Sequence, residues 1–120
     1  MHVHLLKSKL HRAQVTASRL DYEGSLTVAA DLMEKAGLFP FERVLCSNLA
    51  NGERFETYVI TGEAGSGAIV LNGATAHLGK VADRLTIMSY TTVDEYQAKH
   101  WQPRVILLNE KNGILKHRGA

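Results

Sequence analysis

Apolar and polar residues alternate through the opening of the chain. Met1, Val3 and Leu5 share one face of an extended strand, and Lys7, Lys9 and His11 continue that face as polar groups, because successive strand side chains point to opposite sides. Such a strand is expected to run from a core toward an edge or cleft. Asp21-Tyr22-Glu23-Gly24-Ser25 reads as a turn, since Asp and Gly tolerate the backbone angles of a reversal. Residues 25–28 are short and extended. Residues 30–36 carry a helical pattern, with Gly37 placed to stop it.

Strands are predicted over 43–49 and 54–60. Asn51-Gly52 joins them as a two-residue type I′ turn, in which both central positions take positive φ. The glycine cluster Gly62, Gly65 and Gly67 reads as a hairpin connection into a strand over 68–71. Asn72-Gly73-Ala74 makes a loop, and 75–83 a turn or short helical piece. A strand over 84–90 follows. Thr92 and Glu95 have the spacing of a capping box, which starts a short helix ending near His100. Pro103 breaks it, 104–108 is the last strand, and the polar tail with Asn112-Gly113 is expected to fray. Six or seven short strands, two short helices and tight turns predict a mainly β protein, and a small β-barrel over a βαβ fold. Closure of the barrel would remove exposed strand edges.

Composition narrows the function classes. A chain of 120 residues is expected to form a single domain over 1–120, large enough for a core without staples. The net charge is +2 and the cations are scattered, so no basic stripe suited to nucleic acid is present. The apolar stretches are a few residues long, against the ~20 of a spanning helix, and Met1 to Lys7 has no signal-peptide pattern. No membrane partner is expected. Cys46 is the only cysteine, which excludes an intramolecular disulfide and suits a reducing, cytoplasmic setting.

Some motifs are blander than they look. His2 and His4 point to one side of a strand but lack a third ligand cluster, so no metal site is expected. Residues 62–67 are glycine-rich yet lack the Lys and Ser/Thr of a phosphate loop, and a strand follows where a helix should begin. Cys46 and Trp101 read as packing residues.

Two segments carry chemistry. Lys9-Leu10-His11-Arg12 is followed about a dozen residues later by Tyr22-Glu23-Gly24-Ser25. Asn51-Gly52-Glu53-Arg54-Phe55-Glu56-Thr57-Tyr58 is followed by Asn72-Gly73-Ala74-Thr75. In this order the chain resembles the aspartate 1-decarboxylase family, pyruvoyl-dependent enzymes that make β-alanine for pantothenate biosynthesis, over about residues 1 to 108.

The resemblance implies a six-stranded double-psi β-barrel with short helices. It implies self-cleavage between Gly24 and Ser25, giving a 1–24 β chain and a 25–120 α chain. Ser25 Oγ would attack the Gly24 carbonyl, and Ser25 would become a covalent pyruvoyl group without metal or pyridoxal phosphate. Glycine at 24 is expected to leave that carbonyl uncrowded and to take backbone angles closed to other residues. The substrate would be L-aspartate, Tyr58 the proton donor, and Lys9 and Arg54 the carboxylate holders, Arg through two parallel hydrogen bonds. Thr57, Gly73, Ala74 and Thr75 match substrate-binding positions, and His11, Tyr22 and Asn72 supporting ones. The family assembles as a homotetramer with sites between subunits, and the sequence leaves open whether a maturation factor assists processing.

Arg54 and Tyr58 share a strand face about 13 Å apart at ~3.3 Å per residue. Thr57 points to the other face, so a second subunit, a bulge or a backbone contact is needed to bring it into one site. Two positions depart from the family: Ser47 replaces a large aromatic residue and Thr75 an alanine. The rivals are a non-catalytic double-psi barrel binding or assembly module, a hydrolase with an N-terminal serine, and a decarboxylase of another small amino acid.

Overall fold

Nine strands hydrogen-bond in the order β2-β6-β3-β5-β4-β7-β1-β8-β9 in the computed structural model, which describes residues 1–119. They are β1 (His2–Gln14), β2 (Ala17–Arg19), β3 (Ser25–Ala29), β4 (Arg43–Asn48), β5 (Arg54–Gly62), β6 (Ile69–Asn72), β7 (Arg84–Asp94), β8 (Arg104–Leu108) and β9 (Ile114–Arg118). Helix α1 (Ala30–Ala36) follows β3, a 3₁₀ turn (Gly73–Leu78) follows β6, and α2 (Glu95–Ala98) follows β7. The chain is mainly β, as its alternation predicts. The strands number nine rather than six or seven, because β2 is only three residues long and β9 is exposed throughout and lacks apolar-polar alternation.

Strand β1 does not keep the single face its alternation suggests. Its pairing with β7 shifts between Leu6 and Ser8 and again between His11 and Ala13. Lys7 and Arg12 are the extra residues, and Arg12 sits at φ 65°. Each bulge reverses which parity points inward. The buried face therefore passes from Val3 and Leu5 to Ser8 and Leu10 and then to Ala13, opposite Val93, Thr91, Ser89, Ile87 and Leu85. Lys9 and His11 are left on the other face, not in line with Leu5.

The sheet is mixed rather than built from hairpins alone. β1 runs parallel to β8, β2 to β6 and β3 to β5. Because β3 lies between β5 and β6, the glycine-rich 62–67 segment is a crossover past β3 and not a hairpin. The β4–β5 hairpin also differs from expectation. Asn51 does not take positive φ; only Gly52 does, at 76°, and its N–H donates to Asn48 O at 2.8 Å. The side-chain oxygens of Asn48 and Asn51 accept from Ala50 N and Glu53 N, folding Leu49–Gly52 into a four-residue loop.

Helix α1 ends where Gly37 takes φ 77° and bonds back to Glu34 O. Helix α2 is capped by Asp94, whose carboxylate accepts from Tyr96 N and Gln97 N, while Thr92 remains in β7 because pairing with β1 continues to Asp94. Leu10, Leu26, Ile69, Leu71, Leu85, Ile87 and Ile106 are fully buried around Cys46. Burial pushes the Cys46 thiol up to about 12, as suits a packing residue. Trp101 Nε1 donates to Leu6 O at 2.7 Å. Among the described residues no helix is long and apolar enough to cross a membrane.

The tail does not fray as predicted. Asn112 is buried at φ 60°; its amide donates to Gln14 O and Gly67 O and accepts from Gln14 N, each within 2.8 Å. Those three bonds clamp the β8–β9 hairpin to the body. Asn112→Ala leaves three backbone groups without partners, at about 1–3 kcal/mol for each that stays dry. Its chemical-denaturation midpoint should fall, and hydrogen exchange should show β9 opening before the rest of the sheet.

Candidate active site

Ser25 begins β3 directly after an exposed turn. Asp21 to Gly24 are all exposed, whereas Ser25 is 1% exposed. A buried hydroxyl thus adjoins an accessible peptide bond. Its oxygen accepts from Asn72 Nδ2 at 3.0 Å and its hydrogen points to Glu23 O at 3.4 Å. The second proton of that amide goes to Thr27 Oγ1 at 2.9 Å. Asn72 is itself buried and pairs with Ser25 across β3 and β6, so strand register places the amide on the hydroxyl.

The loop after β6 packs onto the turn. A Cβ on Gly73 would lie 2.7 Å from Gly24 N and 2.8 Å from Gly24 Cα and Tyr22 O, and Gly73 holds φ +66°. Only glycine suits both the conformation and the approach. Thr75 Oγ1 donates to Asn72 O at 2.8 Å and stands 3.5 Å from Ser25 O. Ala74 is exposed. Gly24 does not need glycine for the reason the sequence suggests: its φ lies outside the left-handed region, and an added Cβ would meet nothing within 4 Å.

Tyr58 joins this group through β5. Leu26 pairs with Val59 in parallel register, so Ser25 and Tyr58 stand side by side on neighbouring strands, about 4.8 Å apart. Tyr58 is 37% exposed, with its ring 6.3 Å from that of Phe41. Thr57 pairs with Val44 and takes the opposite face. The pairings along β5 contain no register shift, so a bulge does not bring Thr57 round to Tyr58.

Lys9, His11 and Arg54 form a second group. His11 pairs with Thr86, Thr86 with Ser47, and Ser47 with Arg54, a row across four strands on one sheet face. Lys9 heads the neighbouring row through Met88 and Leu45 to Glu56. His11 Nδ1 is 3.5 Å from Thr86 Oγ1, and its pKa is lowered, first by desolvation and then by Lys9, Arg12 and Arg84. Ser47 Oγ is enclosed without a hydrogen-bond partner.

Lys9 and His11 lie far from Ser25 in the strand order, whereas Arg54 begins β5, the strand beside β3, four residues from Tyr58. From β3 to β1 the sheet order passes four strand spacings, about 19 Å along the sheet. Thus Gly24, Ser25, Tyr58, Asn72, Gly73 and Thr75 gather with the Tyr22 backbone at one place, Lys9 and His11 lie four strands away, and Arg54 stands between them on β5. Thr27 and Thr86 were missed. Thr27 was legible, since it lies two residues beyond Ser25 and so on the same strand face; Thr86 emerges only from the pairing of β1 with β7. No group of three or more His, Cys, Asp or Glu converges among the described residues.

Comparison with known proteins bears on this arrangement. The family model described as aspartate decarboxylase matches residues 1–115. A protein named aspartate 1-decarboxylase from Desulfotalea psychrophila is 50% identical over 110 residues, covering 92% of this chain and 92% of the relative. One of the same name from Clostridium acetobutylicum is 46% identical over 114 residues, covering 95% and 90%. Another, from Caldicellulosiruptor bescii, is 48% identical over 118 residues, covering 97% and 91%.

Proposed function

The chain belongs to the aspartate decarboxylase family, and from that premise we propose that it converts L-aspartate to β-alanine and carbon dioxide, supplying pantothenate biosynthesis. The observation that carries the proposal is the buried Ser25 hydroxyl, held by Asn72 beside the exposed Gly24 peptide.

Self-cleavage starts with Ser25 Oγ adding to the Gly24 carbonyl carbon. The acyl group moves from nitrogen to oxygen. The ester is then eliminated across the Cα–Cβ bond of Ser25, so that Oγ leaves in the new carboxylate of residues 1–24. Water converts the dehydroalanine at the head of residues 25–120 to a pyruvoyl group with loss of ammonia. Asn72 fixes the hydroxyl, and Gly73 presses its backbone against the turn that carries the scissile carbonyl. The Asn72 amide donates to Oγ at 3.0 Å and so holds the attacking oxygen. Thr75, where the family has alanine, donates its one hydroxyl proton to Asn72 O at 2.8 Å, with Ser25 O 3.5 Å away. The pyruvoyl group would supply an electron sink for the pair released with carbon dioxide. Tyr58, on the strand beside Ser25, delivers the proton to the substrate carbon, and Lys9 and Arg54 hold its carboxylates.

One chain does not join these parts. Lys9 lies about 19 Å along the sheet from Ser25, which favours a site shared between copies, with Lys9 and His11 of one facing Ser25 and Tyr58 of another. A homotetramer satisfies this requirement. The interleaving of parallel pairs β3·β5 and β1·β8 with antiparallel neighbours supports reading the sheet as the family's double-psi β-barrel.

Purified protein given L-aspartate should release β-alanine, with L-glutamate a poor competitor. Borohydride added during turnover should attach substrate covalently to the 25–120 fragment. An uncut chain that yields no β-alanine overturns the proposal and leaves the non-catalytic barrel module.

A further inference from the structure

Strand β9 carries charge onto the face that holds Lys9 and His11. His11 pairs with Leu107 and Leu107 with Lys116; Lys9 pairs with Val105 and Val105 with Arg118. Paired residues share a sheet face, so both rows of the second group extend by two strands and end in a cation. Lys116–Leu107–His11–Thr86–Ser47–Arg54 is one row, and Arg118–Val105–Lys9–Met88 begins the other.

A cavity of about 330 Å³ opens here, lined by His11, Val105, Leu107, Lys116, His117 and Arg118. Its lining contains no acidic residue. Among the described residues the ion pairs are Met1–Glu95, Lys7–Glu42 and Arg43–Glu56, so Lys9, Arg54, Lys116 and Arg118 have no carboxylate partner. Val105 and Leu107 give the cavity an apolar floor, beside which fixed cations act more strongly than in open water. The family match ends at residue 115, before both β9 cations. Charges on an edge strand also discourage pairing with other chains, but that role needs no cavity and no alignment with Lys9 and His11.

We infer that Lys116 and Arg118 are substrate-positioning residues that gather a small dicarboxylate at this cavity on its way to Lys9 and Arg54. The inference rests on the proposed aspartate decarboxylation. The pair touches no reacting atom: it raises the local concentration of the net-anionic substrate with its two carboxylates, and the clamp of Asn112 on Gln14 and Gly67 keeps β9 in register to do so.

The test compares the self-processed parent with the doubly substituted Lys116→Gln, Arg118→Gln enzyme, using L-aspartate at low and high sodium chloride. At low salt KM should rise about tenfold with kcat within twofold, as expected for lost steering. At 1 M salt, where the Debye length is about 3 Å, the two enzymes should converge. Charge-keeping Lys116→Arg, Arg118→Lys should restore the low-salt KM. Intact-mass analysis of each sample checks that cleavage after Gly24 is complete. If the parent is active and cut but the double Gln enzyme keeps its KM at low salt, the inference is overturned while the decarboxylase reading stands. A fall in kcat alone, or aggregation with unchanged KM, overturns it equally. A parent that makes no β-alanine instead removes the reading on which it rests.

Discussion

Ser25→Ala is expected to remain a single uncut chain and to form β-alanine no faster than the uncatalysed background. The parent, incubated under the same native conditions, should resolve by intact-mass spectrometry into residues 1–24 and 25–120. Both results follow from one oxygen. Oγ is the only Ser25 side-chain atom that can add to the Gly24 carbonyl, and nothing else on the methyl of alanine can replace it. Enzymes commonly exceed their uncatalysed reactions by about 10⁶-fold or more, so removing the residue proposed to become the electrophile should forfeit a factor on that scale. Misfolding does not offer another explanation, because Asn72 keeps its bond to Thr27 Oγ1. The cost of the lost acceptor is roughly 1–2 kcal/mol, and the variant should melt as one cooperative transition near the parent. A Ser25→Ala chain that is still cut after Gly24 would sink the assignment of Ser25 as the attacking group.

What the sequence made legible depends on how local the determining physics is. The 104–108 strand, the 30–36 helix and its Gly37 stop are set by near neighbours and were read at their observed bounds. The phase of β1 was not, because the bulges at Lys7 and Arg12 arise from pairing with β7. Strand β9 was missed for a related reason: its residues are exposed and do not alternate, and its order comes from Asn112 reaching back to Gln14 and Gly67.

The candidate site divides in the same way. Ser25, Asn72 and Gly73 were named from the family resemblance, and register brings them together. That Lys9 and His11 lie four strand spacings from Ser25, while Arg54 lies on the strand beside it, follows only from the strand order, which no spacing along the chain encodes.

The sharpest steric demand in the site is at Gly73, and Gly73→Ala is expected to slow self-cleavage by about 100-fold or more. Position 73 holds φ +66°, and the new methyl would lie 2.7 Å from Gly24 N and 2.8 Å from Gly24 Cα and Tyr22 O. The left-handed conformation alone costs alanine about 1–2 kcal/mol. All three neighbours are backbone atoms, so no side chain can rotate away, and relief requires the Tyr22–Gly24 turn to move off the 3₁₀ turn. That movement takes the Gly24 carbonyl away from Ser25 Oγ, and a misplacement near 1 Å commonly costs about 10²-fold in rate. Gly24→Ala separates this effect from mere crowding of the turn. Its methyl would meet nothing within 4 Å and its φ is outside the left-handed region, so its stability should stay within about 0.5 kcal/mol of the parent. Thermal melts beside a time course of fragment appearance by mass spectrometry compare the two. Should Gly73→Ala be cut at the parental rate, the packing of the 3₁₀ turn on the scissile turn plays no part in cleavage, and the hydroxyl held by Asn72 must suffice.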